Sequence, residues 1–129
     1  MVKDEGWVMN GMGNPTQNVV VAKSFTFALE TVSLYRRLTD QKEYILSRQL
    51  LRSGTSIGAN VEEAQAAQTH ADFITKMSIA LKEARETHHW LRLLQQSQLV
   101  SIDVSGPLGL ADELVRILTA IVKTAQTRA

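Results

Sequence analysis

Residues 52–64 read RSGTSIGANVEEA. Gly54 and Gly58 stand four apart among Ser53, Thr55, Ser56 and Asn60, and the stretch has two physical readings. A phosphate-cradling loop needs the order GxxxxGK[ST] after a strand, and here there is neither the lysine nor a strand-like run. The other reading is a helix that is small on one side. Projected at about 100° per residue, Leu46, Leu50, Ile57, Val61 and Ala64 fall within about 60° of one another and mark a core direction. Gly54 and Gly58 lie on one flank of that stripe, Ser53 and Asn60 on the other. Two interior glycines cost on the order of 1 kcal/mol each relative to alanine, so the helix requires a close backbone approach by a neighbouring helix or subunit. Asn60, at the edge of the stripe, must find hydrogen-bond partners. Glu83, Glu86 and Thr87 on the next helix are the expected ones, which makes Ser56, Asn60, Glu83 and Glu86 a candidate structural polar core.

Outward from this stretch the chain stays helical. The only prolines are Pro15 and Pro107, and the residues between them are rich in helix formers with apolar side chains recurring at three and four. The spacing predicts helices over about 16–38, 41–68, 70–98 and 108–127. The first has Val19, Ala22, Leu29, Val32 and Tyr35 as buried candidates. Thr39 or Asp40 is expected to cap the second, with Glu43 closing a capping box, and Thr69 with Asp72 is expected to open the third. Phe73, Met77, Ala80, Ala84, Thr87, Leu91 and Leu94 form the stripe of the third. Leu110, Leu114, Ile117, Leu118, Ile121, Val122 and Ala125 form that of the fourth. Short links force antiparallel neighbours, so the expectation is an all-α, up-down-up-down four-helix bundle over 16–129, behind a flexible N-terminal arm, 1–15.

Composition bounds the chemistry. The chain has 129 residues, one domain's worth, with 14 Lys+Arg against 13 Asp+Glu and no cysteine. Disulfides, thiolate zinc sites and a cysteine nucleophile are thereby excluded. A net charge of +1 supplies no long-range field, so nucleic-acid binding would have to rest on where the charges sit. No apolar run reaches the roughly 18 residues of a membrane span, and the leader lacks the basic-then-apolar order of a signal peptide. A cytoplasmic, non-membrane protein is expected. A di-iron bundle needs two ExxH pairs, and only Glu86 with His89 makes one. A helical ribonuclease needs an arginine and a histidine separated by four to six residues, which neither His88 nor His89 offers after Arg85. Glu62 and Glu63 have no catalytic partner at fixed spacing and read as interhelical or subunit contacts. No catalytic residue, metal, cofactor or small-molecule substrate is expected.

Two surfaces of the third helix stand apart from its core stripe. Ile79, Trp90 and Leu93 share a sector about 100° away and are expected to form an oligomer interface, since aromatic anchors ringed by polar groups are typical of interfaces. Roughly opposite the core, Lys82, Arg85, His89 and Arg92 form a basic sector. Arg48 and Arg52 lie opposite the core of the second helix, and Arg36 and Arg37 end the first, where they also suit the helix dipole. Arg36, Arg37, Arg48, Arg52, Lys82, Arg85 and Arg92 are the candidate contacts to RNA or DNA.

The stretch LLRSGTSIGANVEEAQAAQTHADFITKMSIALKEARETHHWLRLL, residues 50–94, resembles the four-helix-bundle family of proteins encoded by 23S ribosomal RNA intervening sequences. It also resembles the accessory variability determinant of retroelements. The matching pattern is Arg52, Ser56-Ile57, Asn60 and Glu62 or Glu63 on one helix, then Phe73, Ile79-Ala80, Lys82-Glu83, Glu86-Thr87 and Trp90-Leu91 on the next. Where that family usually has Ala-Glu-Gly after the asparagine, this chain has Glu62-Glu63-Ala64. The resemblance implies a bundle that assembles into a ring, often a pentamer, and, for the retroelement relatives, a basic nucleic-acid-binding surface; it implies no catalytic residues. The function expected is a non-enzymatic oligomeric scaffold or accessory protein that binds structured RNA or DNA. The competing expectation is a protein–protein adaptor whose basic faces are incidental.

Overall fold

The computed structural model describes residues 15–128, and these form four helices: α1 (Pro15–Asp40), α2 (Leu46–Gln65), α3 (His70–Ser97) and α4 (Ser105–Thr127). The expected N-terminal arm lies outside the described residues, apart from Pro15, which opens α1. The extensive contacts are α1 with α2, α2 with α3, α3 with α4, and α1 with α4. Each helix therefore packs on its chain neighbours, the chain closes on itself, and α1 lies diagonally across the bundle from α3.

The close approach required by the two glycines is made by α1. A Cβ built on Gly58 would lie 3.2 Å from the backbone oxygen of Ser24, and one on Gly54 would lie 2.7 Å from Thr31. The two helices meet along this strip of small residues, and the contact offsets the glycines' low helix propensity. The stretch 52–64 is unbroken α-helix.

The α3 stripe is buried as expected, at all seven positions. The α1 stripe is not. Its core residues are Val20, Ser24, Phe27, Thr31, Leu34 and Leu38, while Val19, Ala22, Leu29 and Val32 face outward and Tyr35 is half-buried. Helix α1 carries two apolar faces, and the buried one is disguised by Ser24 and Thr31. Both hydroxyls bond to carbonyls of their own helix, Val21 at 3.2 Å and Phe27 at 2.8 Å, so they enter the core without unmet hydrogen bonds.

The start of α2 also differs from expectation. Instead of capping a new helix, Thr39 and Asp40 belong to the last turn of α1. Lys42 then takes the left-handed conformation, φ 65°. The Glu43 N–H donates to the Leu38 carbonyl at 3.0 Å and the Lys42 N–H to the Thr39 carbonyl at 2.9 Å, the bonding of a Schellman motif. The Glu43 carboxylate accepts from the N–H groups of Ile45, Leu46 and Ser47 at 3.1, 3.0 and 2.6 Å, and so caps α2 itself. Thr69 does cap α3, accepting from Asp72 N–H at 3.0 Å. Helix α4 begins three residues before expectation, with Pro107 inside its first turn, where a missing N–H costs nothing.

Candidate functional site

Helices α2 and α3 are registered by three contacts that run in order along the seam. The Ser53 and Thr87 hydroxyls are 2.8 Å apart, and Thr87 Oγ1 is 2.7 Å from the Glu83 carbonyl. With one proton on each hydroxyl, Thr87 donates to that carbonyl and accepts from Ser53. Nearer the surface Arg52 reaches across to both Glu83, at 3.3 Å, and Glu86. At the other end Lys76 Nζ lies 2.8 Å from Glu63, which accepts its hydrogen bond and holds the ammonium pKa above its ordinary value.

This seam absorbs much of the candidate polar core, with one correction. Asn60 does not reach Glu83, Glu86 or Thr87; its amide donates to the Ser56 carbonyl at 2.9 Å and lies 3.2 Å from the Ser56 hydroxyl, both on its own helix. Ser53, on the same flank, makes the contact to Thr87. Glu83 is the more buried of the two acids, its side chain 12% exposed. Arg52, although exposed, is committed to these carboxylates.

The expected interface patch is partly consumed within the chain. Trp90 leans on the core, its indole N–H donates to Glu86 at 3.0 Å, and its ring meets His89 edge-on. Ile79 is half-buried, which leaves Leu93 as the exposed member.

The outer face of α3 is different. Lys82, Arg85, His89 and Arg92 are all exposed, recur at three and four and so share one face, and no acidic residue interrupts the row. Among the described residues none of the three cations forms an ion pair, whereas Lys23, Arg52, Lys76 and Arg116 do. Arg92, His89, Leu93 and Gln96 border a shallow hollow on this face. Arg48, on the outer face of the adjacent α2, is likewise exposed and without an ion pair among the described residues. Arg36 and Arg37 are exposed too, but on α1, diagonal to α3, so the structure does not gather all seven candidates into one surface.

What the sequence reading missed is the outer face of α1. Val19, Phe25, Leu29 and Val32 are 44, 59, 58 and 44% exposed. With α1 and α3 diagonal, an apolar face and a basic face look in opposite directions from one bundle. The available signal is the 3-4-3 spacing of Ala22, Phe25, Leu29 and Val32, a period that a core stripe would share. No group of three or more metal-ligating side chains is found among the described residues, and no described helix is long and apolar enough to cross a membrane.

The sequence matches the family described as 23S rRNA-intervening sequence protein over residues 16–120. A solved structure from Bacteroides thetaiotaomicron VPI-5482, of a protein with unknown function from the S23 ribosomal protein family, is 46% identical. The match covers 84% of this chain and 98% of that one, with a TM-score of 0.79. No curated protein matches the chain significantly. Fold and sequence together show that this chain belongs to the family of 23S rRNA-intervening sequence proteins.

Proposed function

We propose that this protein is a non-enzymatic accessory protein that binds structured RNA or DNA through the outer face of α3, with Arg48 of α2 alongside. The observation that carries the reading is the uninterrupted row Lys82, Arg85, His89, Arg92, whose cations are unpaired among the described residues. In a chain of net charge +1 the positive charge is segregated, and phosphate contacts draw on local charge. Association of several copies would repeat the row and raise avidity without any new contact.

The test is binding of an RNA hairpin and of a DNA duplex across a salt series. Affinity is expected to fall as salt rises, with a slope of about one per phosphate contact. A variant with Lys82→Glu, Arg85→Glu and Arg92→Glu should bind neither. Absence of binding at low salt, or a flat salt dependence, overturns the reading.

A further inference from the structure

We infer that the hollow beside Leu93 is a subsite for one unpaired nucleobase, so that the nucleic acid is held at a loop, bulge or single-stranded end and not along a continuous duplex. The inference rests on the proposed function and names the partner of the same face. The hollow has a volume of about 340 Å³ and is lined by His89, Arg92, Leu93, Gln96 and Ser97, which puts it at the low end of the range for small-ligand sites. His89 and Arg92 belong to the hollow and to the basic row alike. The row rises about 15 Å along α3 from Lys82 to Arg92 and ends in a depression instead of a flat surface.

Each lining side chain has a use in holding a base. The Arg92 guanidinium and the His89 imidazole are planar groups on which bases stack. The His89 ring is set by its edge-on contact with Trp90, centroids 5.2 Å apart at 62°. Leu93, 40% exposed, supplies apolar surface. Gln96 carries two N–H donors and a carbonyl acceptor and makes no hydrogen bond among the described residues. The Ser97 hydroxyl accepts from the Leu99 N–H at 3.4 Å and keeps its own proton to donate. Donor and acceptor are what the edge of a base requires. No carboxylate lines the hollow; Glu86, the nearest acid along α3, is bonded by Arg52 and by the Trp90 indole.

The pairing state of the partner follows from access. In a duplex the bases are stacked and show only their edges within the grooves, so a hollow on the outside of a bundle meets phosphate and sugar alone. An unpaired base swings out at little cost and enters while its phosphates stay on the row. Arg48 adds a cation at the same level of the bundle. The Ser53–Thr87 contact sets the register of the antiparallel α2 and α3, and Arg48 precedes Ser53 by five residues as Arg92 follows Thr87 by five.

The experiment measures binding across a salt series for a hairpin with an unpaired loop, made in RNA and in DNA, and for each stem as a blunt duplex. Stacking uses no 2′-hydroxyl, so both hairpins should bind more tightly than their duplexes, and the tighter hairpin identifies the polymer. Leu93→Ala with Gln96→Ala, which changes no charge, should weaken hairpin binding about tenfold and leave the salt slope as it was. Circular dichroism reports that the helices of this variant are intact. 2-Aminopurine placed at each loop position in turn should change its fluorescence on binding, most at the position that enters the hollow, and the double variant should abolish that change. Duplexes bound as tightly as hairpins, or a hairpin affinity indifferent to the double variant, overturn the inference while the salt-dependent row stands. No binding at low salt overturns the proposed function, and this inference with it.

Discussion

Thr31 of α1 and Gly54 of α2 are packed so tightly that a Cβ on the glycine would lie 2.7 Å from both Cγ2 and Oγ1 of the threonine. Gly54→Ala gains about 1 kcal/mol of helix propensity but overpacks the contact at a typical cost of about 1–3 kcal/mol, so a net loss of stability is expected. Thr31→Ala removes the two clashing atoms, and the double variant should be more stable than the sum of the singles by at least about 1 kcal/mol. Gly58→Ala should show no such rescue by Ser24→Ala, because its nearest neighbour is a backbone oxygen. Urea denaturation of the six variants and the unsubstituted protein measures both couplings, and equal couplings would sink the argument.

The buried Ser53–Thr87 pair predicts an asymmetry. Thr87→Val keeps the shape of the side chain but strands the Ser53 hydroxyl, which is fully buried, at a cost of about 1–3 kcal/mol. Ser53→Ala with Thr87→Val removes both polar groups and should recover most of that loss. If the double variant is as unstable as Thr87→Val, the seam is held by packing and the hydroxyls contribute little.

Where packing writes a strong period, the sequence was readable: the α3 stripe of Phe73, Met77, Ala80, Ala84, Thr87, Leu91 and Leu94 is the buried set, and the glycines of α2 announce a close neighbour. Where two faces of one helix are both apolar, period alone cannot choose between them. On α1 the richer stripe is the exposed one, and the buried stripe contains Ser24 and Thr31, whose hydroxyls are satisfied locally. The α1–α2 turn was hidden for a related reason: a lysine, not a glycine, takes the left-handed position. For the candidate contacts to nucleic acid the sequence shows the charges but not their neighbours, since nothing in it says that Arg52 bonds to Glu83 and Glu86 while Lys82 has no ion pair among the described residues.

That turn gives a third prediction. Glu43 accepts three backbone N–H groups at the start of α2, so Glu43→Ala should cost about 1–2 kcal/mol. Lys42→Gly, relieving a positive φ, should raise stability by about 0.5–1 kcal/mol. Thermal melts of the two variants should move in opposite directions; a shared direction would mean that the turn does not set the start of the helix.

Arg48 and Arg52 are one helical turn apart and should behave differently. Arg52→Ala removes the partner of Glu83 and Glu86, should lower stability by about 1 kcal/mol, and should shift the emission of Trp90, whose indole bonds the same Glu86. Arg48→Ala should leave the melt and the emission unchanged and weaken RNA or DNA binding, lowering the salt slope by about one. If Arg52→Ala alters binding alone, with melt and emission intact, the assignment of the two roles is reversed.

At the start of α4 the Ser105 N–H donates to the Asp103 carboxylate at 2.9 Å, and this bond, with the more distant charge of Arg37 contributing less, holds the carboxyl below its ordinary range. A carboxyl whose folded pKa is depressed stabilises the fold fully above its unfolded value, near 4. That contribution fades as pH falls through the folded value. The melting difference between the unsubstituted protein and Asp103→Ala should therefore be largest near pH 7 and shrink toward pH 3. Asp103→Asn keeps an acceptor but cannot titrate, so its advantage over Asp103→Ala should be the same at both pH values. A gap that stays constant for the unsubstituted protein would show that the ionised carboxylate is not what caps α4.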